Sequence, residues 1–222
     1  MVSQLGLPHL QFLATGAMWT IALSLLALLG GGILGFALAL CRVSPAQPVR
    51  LLSGLWVQLI QGTPLLVLMF LAYFGFPALG WRLSAFSAAG GALILYCSAY
   101  LAEIWRGCIE AVPRPQWEAA EGLALSRIQR MRYVVLPQAI RIAAPPTVGF
   151  MVQIVKNTSL ASVVGFVELM RAGQIVNNSI FEPFAIYAII AMAYFCLCWP
   201  LSLWSRRLEA RHGGAARLAA AP

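Results

Sequence analysis

The sequence predicts an all-α integral membrane bundle of five transmembrane helices, forming one domain over residues 1–222. Two observations lead there. Of 222 residues, 61% are hydrophobic and 10% charged, too little charge to clothe a soluble domain of this size. The apolar residues also gather into runs long enough to cross a bilayer, which takes about 20 helical residues. Each crossing must satisfy its backbone internally, so the runs are helices rather than open strands.

The first run, 14–40, is uncharged and long enough to span with tilt. No Lys or Arg precedes it, so it reads as a transmembrane helix rather than a secretory leader. The second, 51–76, is interrupted by Gly62-Thr63-Pro64. Pro64 removes a backbone bond, giving either a simple kink or a break that offers backbone groups to a solute. The third, 83–108, is uncharged as far as Ala102 and then carries Glu103. The fourth, 143–167, contains Lys156, and the fifth covers 183–205. A short external helix is expected over 168–178.

Basic residues orient the bundle, because they concentrate in cytoplasmic loops. Arg42, Arg50, Arg106, Arg114, Arg127, Arg130, Arg132, Arg141, Arg206, Arg207, Arg211 and Arg217 all fall on one side. The other side has Arg82 and Arg171. The N-terminus is therefore expected outside and the C-terminus inside. The same bias explains the net charge of +8 without nucleic acid, since no basic stripe lies on a soluble face.

Several chemistries lack their residues. His9 and His212 are the only histidines and stand at opposite ends, and Asp is absent. No metal site or His-based triad can be drawn, and no catalytic residue is assigned. Cys41, Cys97, Cys108, Cys196 and Cys198 sit in or beside apolar runs, without a disulfide pattern. Gly30-x-Gly32-x-x-Gly35 fits a dinucleotide expression, but no strand precedes it. Gly31-x-x-x-Gly35 reads better as a close-packing helix face.

The segment 109–141 is the long cytoplasmic loop. Pro115 suits a first helical turn, and Glu118, Ala119 and Ala120 continue it. Ser126 and Gln129 have capping-box spacing for a second helix, in which Ile128, Met131 and Val135 share a face beside Arg127 and Arg130. Pro137 is expected to end that helix. Two short helices with an apolar face and a basic rim lie either on the lipid surface or in a partner's groove.

The loop resembles the EAA loop of ABC importer permeases. Glu118-Ala119-Ala120 and Val134-x-Leu136-Pro137 stand at the family's positions. The flanking text Gln116-Trp117 and Gln138-Ala139-Ile140-Arg141 is similar to the polar amino-acid branch. Further similar stretches are Gly62-Thr63-Pro64-Leu65-Leu66, Ala99–Ile104, Lys156–Leu160 and Arg206–Glu209. Two positions depart. Ala124 stands where the motif has glycine, at a cost of about 1 kcal/mol if the turn is left-handed. Gln61 stands where the family often has arginine.

The resemblance implies a multi-pass permease of the bacterial inner membrane, paired with a second, identical or homologous permease subunit. Its loop would enter a groove on a cytoplasmic ABC ATPase dimer, where ATP and Mg are held. This chain would need no cofactor itself, and a periplasmic solute-binding protein would deliver the cargo. The resemblance assigns ATPase coupling to Glu118, Ala119, Ala120, Ala124, Leu136 and Pro137. A stand-alone channel or secondary transporter needs no ATPase and is the alternative; a membrane-bound enzyme is a third class, without visible machinery.

Candidates for a solute path are Thr63 in the broken span, Glu103, and the polar run Lys156, Asn157, Thr158 and Ser159. Glu103 and Lys156 would suit the amino and carboxylate groups of an amino acid. Alternatively they neutralise each other, or Glu103 pairs with Arg106 one turn away.

Overall fold

The computed structural model describes residues 5–219, with side chains described over 5–211. Arg217 and His212 lie outside the described side chains. Eight helical elements follow one another: α1 Leu7–Arg42, α2 Gln47–Gln61, α3 Leu65–Ala78, α4 Ala85–Glu110, α5 Arg114–Gly122, α6 Arg127–Val164, α7 Leu169–Ile180 and α8 Pro183–Ala219. No strand occurs among the described residues. Helices α1, α4, α6 and α8 are each long and apolar enough to cross a membrane. The pair α2 and α3 makes a fifth crossing if taken as one broken span.

The Gly62-Thr63-Pro64 interruption is more than a kink, since α2 and α3 meet at 95°. Pro64 cannot donate, and the Thr63 hydroxyl donates to the Leu59 carbonyl at 2.8 Å where the backbone ladder stops. The end of α2 is also tied to α4, because Gln61 Nε2 donates to the Ala99 carbonyl at 3.4 Å.

The expectation that Pro137 ends a helix is corrected. Helix α6 runs through it without a break, so loop and span share one rod from Arg127 onward. The reason is a π turn, Arg130–Val135, just before the proline. Bonds there reach five residues rather than four, so the register skips the N–H that Pro137 lacks. The same turn splits the expected apolar face. Val135 is buried with Met131 packed beside it, whereas Ile128 is 79% exposed.

Close packing of α1 on α4 centres the bundle. A Cβ at Gly31 would lie 2.5 Å from Cys97 Cβ, and one at Gly35 would lie 2.9 Å from the Ser98 carbonyl. These glycines let the backbones approach, as their four-residue spacing predicts. Around that crossing Leu23, Met69, Leu93, Leu101 and Ile154 form the main core.

A second core holds α7 between α1 and α8, with Leu13, Leu169, Ile180 and Ile186. Its polar centre is Glu168, fully buried at the N-terminus of α7. Its carboxylate accepts from the Met170 and Arg171 N–H groups, each at 2.9 Å, and from the Tyr194 hydroxyl at 2.8 Å. The Thr20 hydroxyl adds a longer contact of 3.4 Å. One side chain thus caps a helix and joins three elements.

Candidate functional site

The loop between α4 and α6 is built to hold a fixed shape. Helix α5 starts with Pro115 in its first turn, where a missing N–H costs nothing. Its C-terminus is closed by a paired hydrogen-bond motif. Leu125 N–H donates to the Ala120 carbonyl at 3.2 Å, and Ala124 N–H donates to the Glu121 carbonyl at 2.9 Å. That closure needs a left-handed residue, and Ala124 supplies it with φ of 56°. The motif position normally held by glycine therefore does require glycine-like geometry, and alanine meets it at a cost.

Ser126 then opens α6. Gln129 N–H donates to Ser126 Oγ at 3.4 Å, and Ser126 N–H donates to Gln129 Oε1 at 2.9 Å, the expected capping box. The loop is pinned to the bundle by Trp117. Its indole packs on Ile109, Val112, Val135 and Ala139, and its N–H donates to the Val112 carbonyl at 3.2 Å. Gln138 Nε2 donates to Gln116 Oε1 at 3.3 Å, joining the two halves of the motif.

What the loop shows to the outside is equally specific. Ala120 is buried, while Glu118 and Ala119 are exposed. Among the described residues no cation pairs with Glu118. Leu123, Ile128 and Tyr133 stand 75%, 79% and 65% exposed on the same loop. The loop thus leaves bare both a carboxylate without a partner among the described residues and several large apolar side chains. Leu136 and Pro137 open the α-helical part of α6 that follows the π turn.

The solute-path candidates separate. Glu103 does not pair with Lys156. Arg106 holds it through Nε, at 2.9 and 3.0 Å to its two oxygens, and through Nη2. Arg42, from the end of α1, adds a contact at 3.4 Å. Glu103 and Arg106 are one turn apart on α4, a spacing that makes them neighbours, and α1 brings in the second arginine. Sequence spacing showed the first partner and not the second, because Arg42 reaches Glu103 only through the α1–α4 crossing.

Lys156 is exposed and, among the described residues, has no acidic partner. It borders a cavity of about 310 Å³ with Ser159, Tyr187 and Tyr194. The Thr158 and Ser159 hydroxyls donate back to the Val155 and Lys156 carbonyls, at 2.8 and 2.7 Å. Asn157 faces the Tyr96 hydroxyl, beside the stacked rings of Tyr100 and Phe150. Thr63 is spent on closing α2.

A family model described as the binding-protein-dependent transport system inner membrane component matches residues 31–213. The chain belongs to that family. The "Probable amino-acid ABC transporter permease protein YckA" of Bacillus subtilis (strain 168) is 33% identical over 210 residues, which is 95% of this chain and 93% of that one. The "Probable glutamine ABC transporter permease protein GlnM" of the same organism is 38% identical over 192 residues, 86% of this chain and 89% of that one. Among solved structures, an amino acid ABC transporter with histidines superposes with a TM-score of 0.87 at 33% identity, covering 94% of this chain and 100% of its counterpart. The methionine transporter MetNI, in an inward-facing conformation, gives 0.79 at 18% identity, covering 93% and 99%, and shares the fold.

As a binding-protein-dependent permease, the chain is a membrane subunit of an ABC importer. It is not an enzyme, since ATP hydrolysis in such importers belongs to a separate subunit. Family membership sets aside the stand-alone channel, the secondary carrier and the membrane enzyme.

Proposed function

We propose that this permease admits polar amino acids or close relatives, and that its loop from Pro115 to Pro137 is the handle by which a cytoplasmic ATPase dimer drives it. The observation that carries the coupling reading is Glu118, exposed and without a cationic partner among the described residues, on a pinned loop that also leaves Leu123, Ile128 and Tyr133 bare. Glu118 anchors the loop to basic or amide groups of the ATPase. Ala119 permits close approach, and Ala124 shapes the turn. Leu136 and Pro137 carry the push into the rest of α6, which continues as one helical element to Val164. Helix α5 is tied to α6 by the Glu121–Arg130 ion pair and the Gln138–Gln116 hydrogen bond, so a displacement at Glu118 is passed on to α6.

The amino-acid assignment is supported by the relatives, whose names specify amino acids, glutamine or cystine. The remaining parts of the reading are a bacterial inner-membrane location, five spans with the N-terminus outside, a second permease copy or homologue, and a periplasmic binding protein. ATP and Mg act on the ATPase. Along the solute path, Lys156, without an acidic partner among the described residues, is the cation for a solute carboxylate, with Ser159 beside it in the same cavity, while Asn157 faces Tyr96 and Glu103 is withdrawn into its arginine clamp.

Glu118→Lys tests the coupling reading. The variant should reach the membrane in normal amount and lose uptake by tenfold or more, a transition-state or docking loss of about 1.4 kcal/mol. Normal uptake by a membrane-resident Glu118→Lys protein would overturn it.

A further inference from the structure

Helices α1, α4, α6 and α8 enclose a groove of about 460 Å³ that lies apart from the loop's exposed face and from Lys156. Its floor is a trench of small residues on one face of α6, Ala139, Ala143 and Ala144. Its walls are aromatic, with Phe36, Trp105 and Trp204. One lining residue carries a hydroxyl, Thr147, and it already accepts the Trp105 indole N–H at 2.9 Å. A polar amino acid would lose its hydration here and find nothing in return. A hydrocarbon chain would lose nothing. Trp204 and Ile140 at the rim are 50% and 64% exposed, so the groove opens sideways out of the bundle, where lipid lies.

Charge says which lipid. Helices α1, α6 and α8 carry basic residues towards the same end of the groove. Helix α1 finishes at Arg42, and α6 starts with Arg127, Arg130 and Arg132. Arg141 follows Ile140 on the rim of α6. Arg211 stands three residues beyond Leu208 on α8, one turn on along the face that lines the groove. Both are exposed, and among the described residues neither is matched by a carboxylate. Arginine stems of this length lie along apolar surface and bring the guanidinium up to headgroup level. Basic clefts between helices on the cytoplasmic side favour anionic headgroups.

We propose that this groove is a resident site for an anionic phospholipid. One acyl chain fills the alanine trench, and the phosphate rests on Arg141 and Arg211. Such a lipid bridges α6 and α8 beside the place where Ser205 Oγ donates to the Pro145 carbonyl at 3.0 Å. It therefore steadies the rod that carries the loop. The inference rests on the groove lying within the bilayer and not on the loop's role in coupling.

The test is native mass spectrometry of the intact permease complex in detergent, given equal phosphatidylglycerol and phosphatidylcholine with the same acyl chains. The wild type should retain phosphatidylglycerol about thirtyfold over phosphatidylcholine, as two arginines at the surface imply. Arg141→Gln/Arg211→Gln should bring the two lipids to parity, and Ala144→Phe should lower retention of both. Equal retention of the two lipids by the wild type overturns the proposal. So does wild-type retention in both variants. If Ile140→Cys and Trp204→Cys cross-link two permease copies through this groove in membranes, a second copy covers it and the lipid assignment falls.

Discussion

Arg130 Nη1 reaches Glu121 Oε2 at 2.8 Å, across the turn that separates α5 from α6. The ion pair is lopsided, with the Arg130 side chain 18% exposed and that of Glu121 72%. Water screens the exposed partner, so the pair contributes at most about 1 kcal/mol. It acts locally, by holding the turn 123–126 closed. Glu121→Gln should therefore raise the rate of proteolytic nicking at this turn by about two- to fivefold, with global melting little changed. Unchanged nicking would mean that the backbone closure alone holds the loop.

Ala124 gives the opposite prediction at the same turn. It carries a left-handed φ of 56° that glycine adopts without strain. Ala124→Gly should relieve about 1 kcal/mol and slow nicking about fivefold. Ala124→Val, with a branched Cβ in the same conformation, should speed it. If glycine fails to protect the loop, the strain is being relieved elsewhere in the native structure.

These two residues also show where sequence reading succeeds. Ala124, Ser126 and Gln129 act through bonds within a few residues, so a motif with alanine at its glycine position and a capping spacing both translate directly into geometry. The long uncharged runs are legible for the same reason, since a bilayer sets their length regardless of neighbours. Pro137 misleads because its usual effect is cancelled by a π turn that no residue pattern announces. Glu168 has no motif at all. Its sole sequence signal is a lone carboxylate set between apolar Val167 and Leu169 at a helix start, and its partners Thr20 and Tyr194 come from distant helices. The Arg42 contact to Glu103 is invisible for the same cause.

Glu168 should be among the costliest single residues to remove. Glu168→Ala deletes a helix cap, worth about 1 kcal/mol, and strands buried donors, worth about 1–3 kcal/mol more. A loss near 3 kcal/mol by denaturation in detergent is expected, and a loss under 1 kcal/mol would show that water replaces the carboxylate.

The same residue sets a pH dependence. Burial pushes its carboxyl above the ordinary value, against the opposing pull of the Met170 and Arg171 N–H groups, Tyr194 and Thr20. A raised carboxyl contributes stability in full below its unfolded pKa and loses it as pH rises through the folded pKa. The wild-type melting temperature should thus decline from the ordinary carboxylate range upward, and Glu168→Gln should flatten that slope. An identical slope in both proteins would place the titration elsewhere.

The α1–α4 crossing yields a paired test, because two adjacent glycines face different surroundings. A Cβ at Gly31 would meet Cys97 Cβ at 2.5 Å and Sγ at 2.8 Å, with the Ile94 carbonyl at 3.0 Å. Neither helix backbone can yield locally, so Gly31→Ala should cost about 1–3 kcal/mol by forcing the helices apart. A Cβ at Gly32 meets only the Trp105 ring edge at 3.9 Å, an ordinary contact. Gly32→Ala should be neutral or stabilise by up to about 1 kcal/mol, since alanine is the better helix former. Cys97→Gly removes both side-chain atoms that obstruct Gly31→Ala but leaves the Ile94 carbonyl. The double variant should therefore recover part of the loss, and the double-mutant cycle should give a coupling of about 0.5–3 kcal/mol. Zero coupling would mean that α1 and α4 are not pressed together through Gly31 and Cys97, and the close-packing role of this helix face would fall with it.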